Sequence, residues 1–205
     1  MTKYLRFVLI TIIMMAAECQ LPSCADAICP EKFTKFTRAS GRAFCLRVVG
    51  NLSVNYYQAQ KHCNSLHPFA KLFGIASEAE YDFVIAQTGE MRHYVGAFRN
   101  PLCHQNKTEL EKRVECTVDK MFKFTDNYTT SNFLWNHEWE CDNPDSTYVS
   151  GEYESAIAIS DWGIEDISST TKLAGAVCGG AVCCGNFCSR NIPGSPNYKA
   201  NSTSG

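Results

Sequence analysis

The sequence predicts an α+β fold, a single disulfide-stapled domain, from three observations. Two amphipathic helical segments come first and strand-like segments follow, an order that fits α+β rather than a doubly wound sheet. Twelve cysteines in 205 residues imply an oxidising compartment and a cross-linked chain. Between Phe124 and Thr171 lie ten acidic residues and no Lys or Arg, although the formal net charge of the whole chain is only −2. The ten are Asp126, Glu138, Glu140, Asp142, Asp145, Glu152, Glu154, Asp161, Glu165 and Asp166. Such crowding repels itself unless it is solvated or neutralised. A hard cation held by carboxylate and amide oxygens, calcium foremost, would neutralise it.

At the N-terminus, Lys3 and Arg6 precede an apolar run from Phe7 to Ala17, the layout of a secretory signal peptide. Ala17 and Cys19 fit cleavage after Cys19, so residues 1–19 are expected to leave; a cut after Ala17 is the alternative. The run is far short of the roughly 20 residues a membrane span needs, and no later segment is apolar enough to cross a bilayer. The expected location is secreted and extracellular. Sequons at Asn51, Asn106, Asn127 and Asn201 suit that compartment, each a glycan acceptor if exposed. Loss of Cys19 would leave an odd cysteine, either free or paired between chains. Roughly 185 mature residues suit one domain with a substantial core. From Ile192 onward Ser, Asn, Pro and Gly dominate, so 180–205 reads as a Cys-containing extension ending in a disordered tail. There is no internal repeat or heptad.

The elements follow in order. Over Ser53–Leu66, Tyr56, Ala59, Gln60 and Cys63 recur at helical spacing, with a cysteine on the buried side. In the next helix Ser77 and Glu80 form a capping box, Tyr81, Val84 and Ile85 an apolar face, and Gly89 the stop. Tyr94–Phe98 and Met121–Thr125 read as short strands, Ser155–Ile159 and Ala174–Cys178 as buried ones. From Thr129 to Gly151 the chain is long, aromatic, acidic and irregular, which in a compact domain usually means function.

These residues resemble the C-type lectin-like domain over 29–179. The resemblance rests on CPEKF at Cys29 with AFCL at Cys45, on the aromatic, Ala59 and Cys63 of the first helix, and on Leu72, Ile75, Ser77, Glu80, Phe83 and Val84. YVGAF at Tyr94–Phe98 is similar to the family's Trp-Ile-Gly-Leu strand, and FTDN at Phe124–Asn127 to its aromatic-acidic turn. The resemblance implies two helices flanking small antiparallel sheets with a long calcium and ligand loop. It also implies a Cys29–Cys45 hairpin staple and a Cys63–Cys178 bridge from first helix to last strand. A further family bridge is absent, its two places holding Ala156 and Ser169. Cys103 and Cys116 bracket a loop and could pair. Cys24, Cys141, Cys183, Cys184 and Cys188 stay unassigned; a zinc cluster at the C-terminal end is far less expected than disulfides in a secreted chain.

In sugar-binding members the resemblance places calcium on a tripeptide centred on a cis-proline, a downstream glutamate and an Asn-Asp pair. Here those places hold Asn143-Pro144-Asp145, Glu154 and Glu165-Asp166. The implied metal ligands are Asn143, Asp145, Glu154, Glu165 and Asp166. The same residues would accept sugar hydroxyls, with Tyr148 or Tyr153 as a stacking face. Departures are Asn143 for a longer residue, Glu165 for Asn, Ile164 for Trp, and three extra residues before Glu154, so Glu152 could replace it. The amide-then-carboxylate order resembles the galactose-type tripeptide. Weak single sites favour multivalent assembly, and recognition of microbial or self glycans, as in innate immunity, is the implied role.

One rival is a calcium-independent domain that binds a protein through Phe133, Trp135, Trp139, Tyr148 and Trp162. An enzyme is not expected. The five histidines lack zinc spacing, and no carboxylate pair is singled out among Glu138, Glu140, Asp142 and Asp145. Nucleic acid is disfavoured by the lack of a basic patch.

Overall fold

The computed structural model describes residues 27–182. An eight-stranded sheet runs β1 (Thr34–Thr37), β2 (Ala43–Val49), β10 (Gly175–Ala181), β4 (His93–Arg99), β8 (Ala156–Ser160) and β9 (Gly163–Ile167). β3 (Lys71–Leu72) pairs with β10 and β5 (Phe122–Phe124) with β4, while β6 (Tyr148–Val149) and β7 (Glu152–Tyr153) form a separate hairpin. The β10–β4 pairing is parallel and joins the last strand to the middle of the chain. The α+β class holds, with two helices on a mostly antiparallel sheet.

Helix α1 (Tyr56–Leu66) starts three residues after Ser53 because Asn55 caps it. The Asn55 side chain accepts from Gln58 N–H and the Gln58 side chain returns to Asn55 N–H, satisfying two otherwise orphaned donors. Tyr56, Ala59 and Cys63 form its buried stripe. Helix α2 (Glu78–Thr88) is capped by Ser77, but the expected return bond from Glu80 is not made. Glu80 is fully buried and takes Arg38 in a two-pronged ion pair together with the Ala76 N–H. A buried carboxylate needs a charged partner more than a cap needs its second limb. Gly89, at φ 53, closes the helix by donating to the Ile85 carbonyl.

The expected Met121–Thr125 strand is shortened, because Val118–Met121 coil into the helical turn α4, which follows α3 (Lys107–Leu110). The Thr129–Gly151 stretch is not wholly irregular, containing a 3-10 turn at Leu134–Asn136 and the strand β6. β10 continues to Ala181, two residues beyond the expected domain end.

Cys29–Cys45, Cys63–Cys178 and Cys103–Cys116 are all bonded. Where the further family bridge is missing, Ala156 and Ser169 are buried. There one Glu152 oxygen accepts from Ser169 N–H, Ser169 Oγ and Ser168 Oγ, each at 2.8 Å. This carboxylate is therefore committed to the β9 end and does not replace Glu154. Cys141 is exposed and unpaired among the described residues. The leader 1–19, Cys24, Cys183, Cys184, Cys188, Asn201 and the tail lie outside those residues. Asn51, Asn106 and Asn127 are exposed, and Asn106 also caps α3. No helix among the described residues is long and apolar enough to cross a membrane.

The core beneath the long loop is an aromatic stack of Phe122, Phe124, Trp135 and Trp139. Trp135 and Trp139 thus leave the suspected partner surface, as does half-buried Phe133, which packs against this core. Tyr148 and Trp162 are exposed. Loop residues 138–140 lie along β9, with Glu140 N–H on the Ile164 carbonyl and Ile164 N–H on the Glu138 carbonyl. Gly163, at φ 120, permits this approach, since a Cβ there would sit 2.8 Å from Glu140 N.

Candidate functional site

The ten acidic residues of the loop region do not share one cation. Asp126 is buried and accepts from Gly74, Tyr128 and Thr129 N–H groups and from Thr129 Oγ1, fixing the turn after β5. Glu138, Asp142 and Asp161 are exposed. Two arginines from outside the stretch, Arg92 just before β4 and Arg99 at its end, enter the region and take much of the rest.

Three carboxylates converge. Asp145, Glu154 and Asp166 each present an oxygen within 4.8 Å of the others. Asp145 arrives on the turn following the cis Asn143–Pro144 bond, Glu154 at the end of β7, and Asp166 on β9. Glu154 N–H donates to the Thr147 carbonyl at 3.0 Å, and Thr147 N–H donates to Asp145 Oδ1 at 2.9 Å. The hairpin carrying Tyr148 therefore springs directly from the cluster. The loop closed by Cys103–Cys116 buttresses it from the side, with Ser146 Oγ donating to the Gln105 carbonyl and Lys107 Nζ to the Asp142 carbonyl.

Arg99 lies under the cluster, its side chain fully buried, and forms an ion pair with Asp166 Oδ2. Its Nε donates to the Glu154 carbonyl at 2.6 Å, and its guanidinium stands 4.6 Å over the Phe122 ring. Asp166 also accepts Asp145 N–H on Oδ1 at 3.0 Å and Ser146 N–H on Oδ2 at 2.9 Å. One arginine thus fixes both a carboxylate and the backbone carrying a second one. Burial pushes the Asp166 carboxyl up and the Arg99 guanidinium down, each opposed by attraction to the other.

The carboxylates also act on one another. Glu154 is pushed up to about 8, first by burial, then by its hydrogen bond to Asp145 and the charges of Asp166 and Asp145. Burial also raises Asp145, but the hydrogen bonds from Glu154 and Thr147 outweigh it and hold Asp145 below the usual carboxylate range. The two shifts are opposite sides of one interaction, which favours the ionised form of Asp145 and the protonated form of Glu154.

Of the two other expected ligands, Glu165 lies apart from the three. Glu165 points to the other side of β9 from Asp166, as alternate strand residues must, and pairs with Arg92 Nε at 2.6 Å. It is pushed up to about 7, by burial against the pull of Arg92, with Glu140 adding repulsion. Asn143 donates its amide to the Cys141 carbonyl at 3.3 Å, and its oxygen accepts no hydrogen bond among the described residues. Tyr148 is 62 % exposed and stands edge-on to Tyr153, ring centres 5.0 Å apart.

Arg99 and Arg92 were not picked out from the sequence. A signal for Arg99 was available: it ends the β4 strand, whose residues are nearly all buried, and an arginine there demands a buried carboxylate.

The family model described as C-type lectin domain-containing protein 141/158 matches residues 30–186. No curated protein matches the chain. The cow C-type carbohydrate-recognition domain of CD23, in the presence of a GlcNAc2Man3 oligosaccharide, is similar at 19% identity and a TM-score of 0.53, over 77% of this chain and 99% of that one. The C-type lectin domain of murine dendritic cell inhibitory receptor 2, in complex with N-glycan, is similar at 15% and 0.51, over 75% and 99%. A Ca2+-dependent type II antifreeze protein in its Ca2+-free form is similar at 18% and 0.50, over 74% and 98%. At these identities the likeness shows the fold.

Proposed function

Since the chain belongs to the C-type lectin domain family, whose domains bind carbohydrate without catalysing a reaction, we propose that it is a secreted glycan-binding protein using a calcium ion held by Asp145, Glu154 and Asp166. The convergence of these three carboxylates within 4.8 Å carries the reading.

The donor set suits calcium. Carboxylate oxygens are its preferred ligands, and each carboxylate keeps lone pairs beyond its protein bonds. Asp166 Oδ1, which accepts only Asp145 N–H, still has one. A cation beside Glu154 would favour its ionised form, against the burial and neighbouring carboxylates that push it up. Asn143 supplies a further oxygen from across the cis bond. Glu165, held by Arg92, is left out of the set. Bound calcium would supply open coordination positions for two neighbouring sugar hydroxyls. The chain's own residues do the rest. Asp145 and Glu154 accept hydrogen bonds from those hydroxyls, Arg99 keeps Asp166 and the Glu154 backbone in place, and Tyr148 offers a face to the apolar side of the ring.

The proposed preference is galactose-type over mannose-type, from the order of Asn143 and Asp145 and the exposed Tyr148. A glycan array run with and without EDTA tests both steps. Calcium-dependent hits on galactose-terminated glycans, weakened by Tyr148→Ala, are expected, and an array lit only by mannose and fucose overturns the preference.

A second reading, a calcium-independent domain for a protein partner, draws on Arg99 and Arg92. They already neutralise Asp166 and Glu165 from within, and Trp162, 62 % exposed, offers a partner an aromatic contact. Ligand capture unaltered by EDTA would favour it.

A further inference from the structure

The basic patch missing from the linear reading is present in the folded chain. From Lys32 to Ser77 there are seven Lys and Arg and no Asp or Glu over 46 residues, where the chain's average acidity of 21 in 205 would place about five. The fold places the first part of this stretch, β1 and β2, at one edge of the sheet, opposite the acidic edge at β9, and lays α1, which carries Lys61, over the adjoining strand β10. With roughly 4.8 Å between neighbouring strands, the two edges lie on the order of 24 Å apart.

Three of the seven cations are already engaged, Lys35 among them. Arg38 pairs with Glu80, and Lys71 donates to the Asp126 carbonyl. Lys32, Arg42 and Lys61 are exposed, and none of them is paired with a carboxylate among the described residues; nor is half-buried Arg47. Register places Lys35 opposite Cys45, and Arg47, two residues on, opposite Cys178. Cys178 is bonded to Cys63 of α1, so Lys35 and Arg47 share the sheet face that α1 covers. The Arg47 guanidinium lies 6.0 Å from the Phe33 ring centre, which pre-orients its planar donors toward an oxyanion.

We propose that this edge is a docking surface for a linear polyanionic polysaccharide, one bearing sulfate or uronate groups, bound independently of calcium and of the carboxylate cluster. Lys32, Arg42, Arg47 and Lys61, without a carboxylate partner among the described residues, attract a chain of regularly spaced anions and release its counterions. A second copy of this protein fits less well. Most of the acidic groups at the opposite edge are already engaged by arginines, serines, backbone amides or one another, which leaves Glu138, Asp142 and Asp161 as exposed charges. An anionic bilayer also fits less well, because Ile28 and Tyr57 are the only large apolar side chains more than one-third exposed between residues 27 and 77.

The test is retention of the full secreted protein on heparin-agarose in EDTA, with a salt gradient. Duplex DNA, anionic vesicles and the protein's own self-association are measured alongside. The wild type should be retained, and Lys32→Gln/Arg42→Gln/Lys61→Gln should elute at clearly lower salt. In solution the triple variant should flatten the slope of log Kd against log salt by about one per cation removed. Arg47→Gln should weaken binding, whereas Lys112→Gln/Lys120→Gln, exposed in the segment between β4 and β5, should not. Circular dichroism identifies any variant that has not folded, and the single exchanges then replace the triple. No retention, retention unchanged in the triple variant, or tighter binding to DNA or vesicles than to heparin would overturn the proposal. So would cation-dependent self-association without polyanion, which would assign the edge to a second copy. Loss of the calcium reading would leave the result untouched.

Discussion

Glu165 and Asp166 are neighbours on one strand, and each meets an arginine at one end of β4, Arg92 just before the strand and Arg99 its last residue, yet the two pairs belong to different physical regimes. Strand alternation sends the two carboxylates to opposite faces. The Arg99–Asp166 pair has both side chains fully buried, and its guanidinium also holds the Glu154 carbonyl. In the Arg92–Glu165 pair the arginine side chain is 45% exposed. The first is scaffold beneath the cluster, and the second is a screened rim contact. Identical chemistry one residue apart is sorted by burial alone.

The widest separation between them should come from Arg99→Ala. Removing one partner of a buried pair strands the other, typically at about 3–5 kcal/mol, because Asp166 has to ionise without its countercharge or take up a proton. At this chain length that is a fall in Tm of roughly 6–20 °C, measurable by circular dichroism in EDTA. Arg99→Lys keeps the charge but not the fork that spans Asp166 and the Glu154 carbonyl, so it should recover only part. A drop under about 1 kcal/mol would mean that the pair is far better solvated than its burial implies.

Calcium sharpens the same contrast. Extracellular calcium modules bind at roughly 10⁻⁴–10⁻³ M, so about 10 mM should add roughly 1.4–2.7 kcal/mol, a shift of about 3–10 °C. Asp145→Ala and Glu154→Gln should abolish that shift, whereas Glu165→Gln should leave it, because Glu165 faces Arg92. Equal loss in all three variants would place Glu165 in the metal set and dissolve the distinction between the faces of β9.

The pH dependence runs in opposite directions with and without metal. Glu154 and Glu165 sit at about 8 and about 7 in the fold, above their ordinary 4.5. The folded chain therefore binds more protons than the unfolded one between these values, and metal-free stability contributed by these groups falls as pH rises from about 5 to about 8. A calcium ion bound as proposed would need Glu154 ionised, so its affinity should rise by up to tenfold per pH unit and level off above about 8. Thermal scans from pH 5.5 to 8.5, with calcium and with EDTA, would show the two trends diverging.

How much of this was legible in the chain follows the range of the interactions. The α1 stripe of Tyr56, Ala59 and Cys63, the bridge to Cys178 and the Cys103–Cys116 loop depend on spacing or on family resemblance, and all appear in the fold. Convergence of Asp145, Glu154 and Asp166 was equally accessible, since tripeptide, glutamate and strand pair stood in the family's order. Neither arginine was, because each meets its carboxylate some 70 residues away in sequence through the β4–β8–β9 register. The Ser77–Glu80 box failed for the same reason, a distant Arg38 outbidding a local backbone donor. The basic edge is hard to see in the chain because its cations are spread over 46 residues, and Lys35 and Arg47 come onto one face only when β1 pairs with β2 and β2 with β10.

The smallest effect expected is that of Arg92→Ala, and it is the most direct test of the comparison. A partly exposed pair contributes about 0–1 kcal/mol, so Tm should change by no more than roughly 4 °C. The loss should shrink further in high salt, since the Arg92 side chain is open to counterions. Its diagnostic value lies in the metal. With Arg92 gone, Glu165 loses the partner that opposes its upward shift, and it should take up a proton more readily while staying on its own face of β9. Calcium affinity, measured by titration, should then be unchanged from wild type. A rise would mean that Arg92 had been holding a fourth carboxylate back from the cluster. The two faces of the strand would then be two settings of one site.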